Sequence, residues 1–267
     1  MRIVVCVKHV PDIQSERRLT AEHRVDRTSD DQVLNELDEN AIEEALTVVE
    51  NLGEGEHEII ALTVGPKGAA TSVRKALQLG ANRAIHVLDD AIAGSDAFAT
   101  ARILSAAITR VHAHSPVDLV FTGLAALDGM TSLVPSVLAA ALKWPQATLA
   151  SEVIVDDADR LVRIKRELDH VVEQVEAPLP AVVSVTDQIN EPRYPNFRAI
   201  MAARKKPVET LSLGDLGVDP AEVGESAART RVLSSGARPE RERGTIVIDS
   251  GDGGKQLAQW LVEQDLA

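Results

Sequence analysis

At 267 residues the chain is long enough for one large domain, or for a main domain with an appendage. A formal net charge of −13 and the lack of any extended basic stripe exclude the phosphate-neutralising surface of a nucleic-acid-binding protein. Hydrophobic residues make up 45% of the chain but aromatic residues only 2%, so the core must be built from Ala, Val, Leu and Ile, which suits helices packed closely on a sheet.

The single cysteine, Cys6, excludes an internal disulfide and a cysteine-rich metal or iron–sulfur site. Within the run Ile3-Val4-Val5-Cys6-Val7 it reads as a small buried hydrophobe and not as a nucleophile. No apolar stretch approaches the roughly 20 residues that span a bilayer. The N-terminus enters this run without a basic leader or a small-residue cleavage site. The expectation is a soluble cytoplasmic protein, and 20 arginines against 8 lysines lean towards a bacterial source.

In chain order, residues 2–7 read as a strand covered on both faces, the pattern of a parallel sheet. A polar connection over 11–32 leads to a helix that Asn40 would cap, with Glu43 completing a capping box and Ile42, Ala45, Leu46, Val49 and Leu52 on one face. Gly53 would stop it. Strands at 58–64, 84–88 and 118–122 then alternate with helices around 73–79 (ended by Gly80), at 96–111 and at 131–142. Four βα units in succession predict a doubly wound parallel α/β sheet with right-handed crossovers.

After Trp144-Pro145 the rhythm changes: 150–155, 161–168, 171–176 and 181–186 follow with no helix between them, as expected of antiparallel strands added at the sheet edge. The segment 190–206 comes next. It carries Arg193, Arg198, Arg204, Lys205 and Lys206 against Glu191, together with the only tyrosine, Tyr194, and one of three phenylalanines, Phe197, on a short helix over 197–204. An apolar residue framed by charge is the anatomy of an interface anchor; the alternative is a closing loop whose Phe and Met pack into the core. Beyond Pro207 the composition shifts. Residues 213–243 read as an extended arm and not as core, followed by a strand at 245–248 and a helix at 255–262 bearing Leu257, Trp260 and Leu261. The predicted organisation is therefore an α/β domain over 1–206 and an arm over 207–267.

Gly53-Glu54-Gly55 and Gly251-Asp252-Gly253-Gly254-Lys255 have the wrong spacing or position for dinucleotide or P-loop motifs and read as turns. Of the seven histidines only His112 and His114 are close, on different faces of one helix, so no metal site is expected. No nucleophile elbow is present, and no catalytic constellation emerges. The better candidate is the turn at 123–132, at the carboxyl end of a parallel strand and ahead of a helix, where main-chain N–H groups favour an anion such as phosphate. Thr131 and Ser132 add hydroxyls there, and plain helix capping would equally account for them.

With these pieces placed, the chain resembles the beta subunits of electron transfer flavoproteins from residue 1 to about 219. The resemblance rests on Val7-Lys8, the Asn35-to-Ala45 stretch with Ala41-Ile42-Glu43-Glu44-Ala45, Gly65-Pro66, Ala76-Leu77 and Gly80-Ala81-Asn82-Arg83-Ala84-Ile85-His86-Val87. It continues through Trp144-Pro145-Gln146-Ala147-Thr148, Arg166-Glu167-Leu168-Asp169, Leu179-Pro180-Ala181-Val182-Val183, Asn190-Glu191-Pro192-Arg193-Tyr194 and Gly214-Asp215-Leu216-Gly217-Val218.

The resemblance implies an adenine nucleotide hydrolase-like α/β domain, paired with an alpha subunit that holds most of a redox-active FAD, and a structural AMP in this chain. It places AMP contacts on Cys6, residues 35–38 including Asn35 and Asp38, Val64, Gly123, Ala126, Asp128, Gly129, Met130, Thr131, Ser132, Leu133 and Val134. It makes 190–206 a recognition loop for acyl-CoA dehydrogenases and other flavin dehydrogenases, with Phe197 as anchor beside Tyr194, Ile200 and Met201, and it gives Glu167 a part in partner recognition through the way the mobile flavin domain releases its partner. Electrons would pass on to a membrane quinone oxidoreductase, this chain having no catalytic turnover of its own, and the arm would wrap the alpha subunit.

Departures from the family pattern are local. The family's acidic run and Asn-Gln-Thr are replaced by Gly129-Met130-Thr131-Ser132-Leu133-Val134, so main-chain donors survive and amide side chains do not. A family tyrosine near the flavin falls on Ile13, and the usual Leu anchor is Phe197. Two alternatives stay open: an electron-bifurcating relative with a second FAD in place of AMP and NADH as donor, and a free-standing nucleotide-binding regulatory module.

Overall fold

The computed structural model describes every residue except Arg17, Ser29, Asp30, Ala237, Glu242, Arg243, Thr245 and Ala267. In chain order its elements are β1 (Arg2–Cys6), β2 (His9–Pro11), β3 (Gln32–Leu34), α1 (Glu36–Leu52), β4 (Glu58–Val64), α2 (Ala70–Leu79), β5 (Arg83–Val87), α3 (Ala97–His114), β6 (Leu119–Gly123) and α4 (Val134–Leu142). There follow β7 (Gln146–Ala150), β8 (Glu152–Asp156), β9 (Leu161–Leu168), β10 (Val171–Pro178), β11 (Ala181–Val185), α5 (Phe197–Ala203), β12 (Val208–Leu211) and α6 (Gly253–Glu263).

Seven strands in the order β12-β5-β4-β1-β6-β11-β7 form the central sheet, and every pairing in it is parallel. The apolar runs alternate between two cores. Ile3, Val5, Ile59, Ala61, Leu119 and Phe121 meet α1, α2 and the inner face of β9, whereas Val4, Cys6, Ile60, Leu62 and Val120 meet α3 and α4. Both sheet faces are thus covered, which is why these strands lack a polar alternation. The predicted doubly wound α/β class and its four βα units are present.

Strands β8–β10 make a separate antiparallel sheet next to β7, the edge of the main sheet, joined to it through Ser151 N–H donating to Lys165 O at 2.8 Å. One strand of that region was misassigned. Residues 181–186 were expected to be antiparallel, but β11 enters the main sheet in parallel between β6 and β7. The whole β8–β10 unit is inserted between β7 and β11, so adjacency in sequence misled. Two outer strands, β7 and β12, and the β2–β3 pair were not anticipated.

Helix α1 begins a turn earlier than expected. Asn35, not Asn40, occupies its N-cap position, with Glu36, Asp38 and Glu39 favourably placed in the first turn. Asn40 and Glu43 lie inside the helix and are engaged elsewhere. Helix α4 begins later, at Val134, so Thr131 and Ser132 are exposed loop residues that do not cap it. Asp96 caps α3 through Phe98 N–H and Ala99 N–H, both at 3.0 Å. His112 and His114 part company as their spacing implied: His112 accepts from Val117 N–H, and His114 donates to Arg110 O.

Two compact units are present, Met1–Leu233 and Ser234–Ala267. Leu213, Val218 and Val223 are buried in the first, against the α3 face, which corrects the reading of the whole 213–243 stretch as non-core. Ala237, Glu242 and Arg243 of that stretch lie outside the described residues. In the second unit Ile246, Val247 and Ile248 form no strand and are exposed, while Thr245 of the expected strand lies outside the described residues; α6 is present over Gly253–Glu263.

Candidate functional site

From β1 the chain crosses through α1 to β4 on one side, while β6 lies on the other side of β1, so the strand order reverses between β1 and β6. Ligands of open α/β sheets collect at the carboxyl ends of strands flanking such a reversal. Cys6, Val64 and Gly123 end or nearly end β1, β4 and β6, and the N-terminus of α1 lies over the same edge.

Asn35 is fully buried and ties three segments together. Its main-chain N–H donates to Lys8 O at 2.9 Å, its side-chain amide donates to Ala125 O at 3.0 Å, and its side-chain oxygen accepts from Leu127 N–H at 3.0 Å. Asp38 bridges the two central strand ends, accepting from Lys8 N–H at 2.8 Å and Gly123 N–H at 3.3 Å. This approach requires glycine at 123: a Cβ there would stand 2.8 Å from Asp38 Oδ1, Leu37 C and Leu37 Cβ. Asp128, also buried, accepts from Lys8 Nζ at 3.0 Å and Arg27 Nε at 2.8 Å. Burial alone would raise its carboxyl, but Lys8 and then Arg27 outweigh burial and hold it below the usual range. Two cations against one carboxylate leave positive charge at the rim of the turn.

Past Asp128, Gly129 N–H and Met130 N–H close on Ala126 O at 3.2 and 2.8 Å. Met130 and Ser132 both take φ of 50°, a conformation that L side chains seldom adopt. Among the described residues, the N–H groups of Thr131, Ser132 and Leu133 meet no protein acceptor, and they precede the first turn of α4. Free amides before a helix, three to five residues past the Asp128 that holds Lys8 and Arg27, suit a phosphate. The donor set therefore fits a nucleotide phosphate through main chain and cations, without side-chain amides. Met130 is exposed, Ala126, Leu133 and Val134 are half-buried, and burial, followed by Asp38, pushes the Cys6 thiol up, out of the range of a nucleophile.

Burial drives the Asp38 carboxyl up to about 7, outweighing the lowering influence of Asn35, the Lys8 and Gly123 amides and the Lys8 charge. An unfolded aspartate titrates near 3.9. The folded state therefore binds this proton more tightly, and the stability it contributes is complete below about 4 and lost as pH rises to about 7, with a slope of at most about 1.4 kcal/mol per pH unit. Asp38→Asn removes the titration. Its unfolding free energy should fall less than that of the unmodified chain between pH 5 and pH 8, and parallel urea-denaturation profiles would refute the assignment.

The second group of predicted residues lies apart from this turn. Tyr194 and Phe197 are 92% and 79% exposed, so Phe197 is not a core residue. Met201 is exposed and Ile200 half-buried on the same short α5, whose first turn Asn196 caps through Ala199 N–H at 2.9 Å. The five basic residues divide. Arg193 is paired with Glu43 and Glu50, and Lys206 donates to Leu77 O, Gly80 O and Ala81 O at the carboxyl end of α2. Arg198, Arg204 and Lys205 are exposed and have no ion pair among the described residues, leaving a cationic frame around Phe197. Glu167 is exposed near the end of β9, paired with Lys165 at 2.6 Å.

Sequence reasoning missed Arg27, which gave no signal within its polar connection, and the partners of Arg193. Glu43 and Glu50 are seven residues apart, hence on one face of α1, a spacing that was visible but unassigned.

A family model described as the electron transfer flavoprotein domain matches residues 23–216. The chain is 41% identical to the electron transfer flavoprotein subunit beta of Mycobacterium bovis, over 99% of this chain and 98% of the relative. It is 33% identical to the protein of the same name from Thermoanaerobacterium thermosaccharolyticum, over 99% and 97%. It is 34% identical to the caffeyl-CoA reductase-Etf complex subunit CarD of Acetobacterium woodii, over 92% of each. With the parallel sheet, the turn at its order reversal and these matches along nearly the whole length, the chain belongs to the electron transfer flavoprotein family, among its beta subunits.

Proposed function

We propose that this chain pairs with an electron transfer flavoprotein alpha subunit in the bacterial cytoplasm, and that the pair carries electrons from flavin dehydrogenases, acyl-CoA dehydrogenases among them, to a membrane quinone reductase. The observation that carries the docking half is Phe197, held out on an anchored helix and framed by Arg198, Arg204 and Lys205. An exposed aromatic within unpaired cations suits a partner with an apolar pocket and an acidic rim.

FAD, held mostly by the alpha subunit, supplies the redox chemistry. This chain has no catalytic turnover of its own. Its residues bind and orient: the Thr131, Ser132 and Leu133 amides, with Lys8 and Arg27, hold the phosphate of a structural AMP, and Asn35 and Asp38 keep that turn in place. The arm beyond residue 233 lies along the alpha subunit. Co-expression should yield a yellow heterodimer with one FAD, from which mass spectrometry of released small molecules detects AMP. A colourless, stable homodimer would overturn the reading.

A second reading follows from the turn's lack of side-chain amides and from the relative in the caffeyl-CoA reductase-Etf complex. In it, a second FAD occupies the turn and NADH is the donor. Two FAD per heterodimer, reducible by NADH, would select it.

A further inference from the structure

Helix α5 has seven residues and buries only Ala203. Isolated helices of fewer than about 12 residues are marginal in water, so the orientation of Phe197 must be imposed from outside. The carboxyl end of the segment is held on α2, where Arg74 donates to Ala203 O and Lys206 O, both at 3.1 Å. The amino end is held on α1. The Arg193 guanidinium forks onto Glu43, with Nε to Oε2 at 2.8 Å and Nη2 to Oε1 at 2.8 Å, and reaches Glu50 through Nη1 at 2.8 Å. Its own main-chain N–H donates to Glu43 Oε2 at 3.1 Å.

Three residues earlier, the Asn190 amide donates to Asn40 O at 3.2 Å and Glu44 Oε2 at 3.1 Å, and Asn190 O accepts from the Asn40 amide at 2.9 Å. Single exposed ion pairs contribute little. This one differs, because the Glu43 side chain is only 12% exposed and the fork is doubled.

We propose that Arg193 and Asn190 are positioning residues for electron-transfer docking: their latch onto Asn40, Glu43, Glu44 and Glu50 of α1 fixes Tyr194 and Phe197 in a docking-ready orientation before a dehydrogenase arrives. The inference rests on the docking reading above and adds the device that serves it. Neither latch residue has to touch the partner. The effect comes from ordering the segment in advance, which removes that cost from binding. Lysine cannot replace Arg193, because it retains the charge but not the fork.

The test uses the FAD-loaded heterodimer, with an acyl-CoA dehydrogenase reduced by its thioester as electron donor. Arg193→Gln and Arg193→Lys should each raise the KM for the flavoprotein about ten-fold, with kcat within about two-fold and FAD content unchanged. Glu50→Gln, at an exposed position, provides a milder opening of the same latch should Arg193 variants fold poorly, and should raise KM in the same direction. The double variant Arg193→Gln/Phe197→Ala should dock no worse than Phe197→Ala alone, since Arg193 acts through Phe197. An unchanged KM in Arg193→Gln and Glu50→Gln, with or without a lower melting temperature, would leave the latch only a structural role and overturn the proposal. Additive effects in the double variant would also overturn it, by giving Arg193 a contact of its own. If Phe197→Ala itself leaves KM unchanged, the docking reading fails, and the latch proposal with it.

Discussion

Replacing Phe197 by alanine is expected to weaken docking to a flavin dehydrogenase by about 2 kcal/mol or more, roughly a thirty-fold loss of affinity, if the residue is an interface hot spot. The fold should hardly notice. Phe197 is 79% exposed, Asn196 still caps the helix, and alanine suits a helical position better than phenylalanine. Heterodimer yield, FAD content and melting temperature should therefore stay close to those of the unmodified protein while the KM for the dehydrogenase rises. A melting temperature that drops with docking unchanged would reverse the assignment.

Asn35→Ala should have the largest effect on the fold. The substitution leaves the buried Ala125 C=O and the half-buried Leu127 N–H without their partner, and each group left unsatisfied away from water costs about 1–3 kcal/mol. The main-chain bond to Lys8 O survives, so the loss should be about 2–5 kcal/mol and concentrated in the turn after β6. Urea denaturation measures the first part, and retention after gel filtration of the AMP proposed above measures the second. A stable variant that no longer retains AMP, where the unmodified protein does, would make Asn35 a contact for the ligand more than a brace for the turn. A variant unchanged on both counts would show that the turn is held by Asp38 and Asp128 alone.

Much of this architecture was legible in the chain. Apolar runs such as Ile3-Val4-Val5-Cys6-Val7 and the 58–64 stretch declare two-sided burial, and aliphatic residues at helical spacing between them declare crossovers, because local periodicity records which faces are dry. The turn after β6 was legible for the same reason, since its place at a strand end follows from the order of elements. Legibility failed where the deciding partner is remote. Asn40 followed three residues later by Glu43 has the letters of a capping box, yet both are claimed by Asn190 and Arg193, 150 residues away in sequence. Residues 181–185 share their apolar pattern with either strand direction, and only β6 and β7 on each side decide for parallel.

Composition, periodicity and spacing by themselves determined a doubly wound α/β sheet, an aliphatic core, the turn at the carboxyl end of β6 and an aromatic residue set among cations, because each depends on neighbours within a few residues. Only the tertiary structure decided that Phe197 faces solvent, that Arg193 is spent on α1 while Arg198, Arg204 and Lys205 have no ion pair among the described residues, and that residues 211–223 contribute to the core. Those outcomes depend on which surfaces meet when the sheet closes. A fork between residues 43 and 193 leaves no trace in local pattern, because its Coulombic and hydrogen-bond terms arise only once the fold has brought the two within about 3 Å.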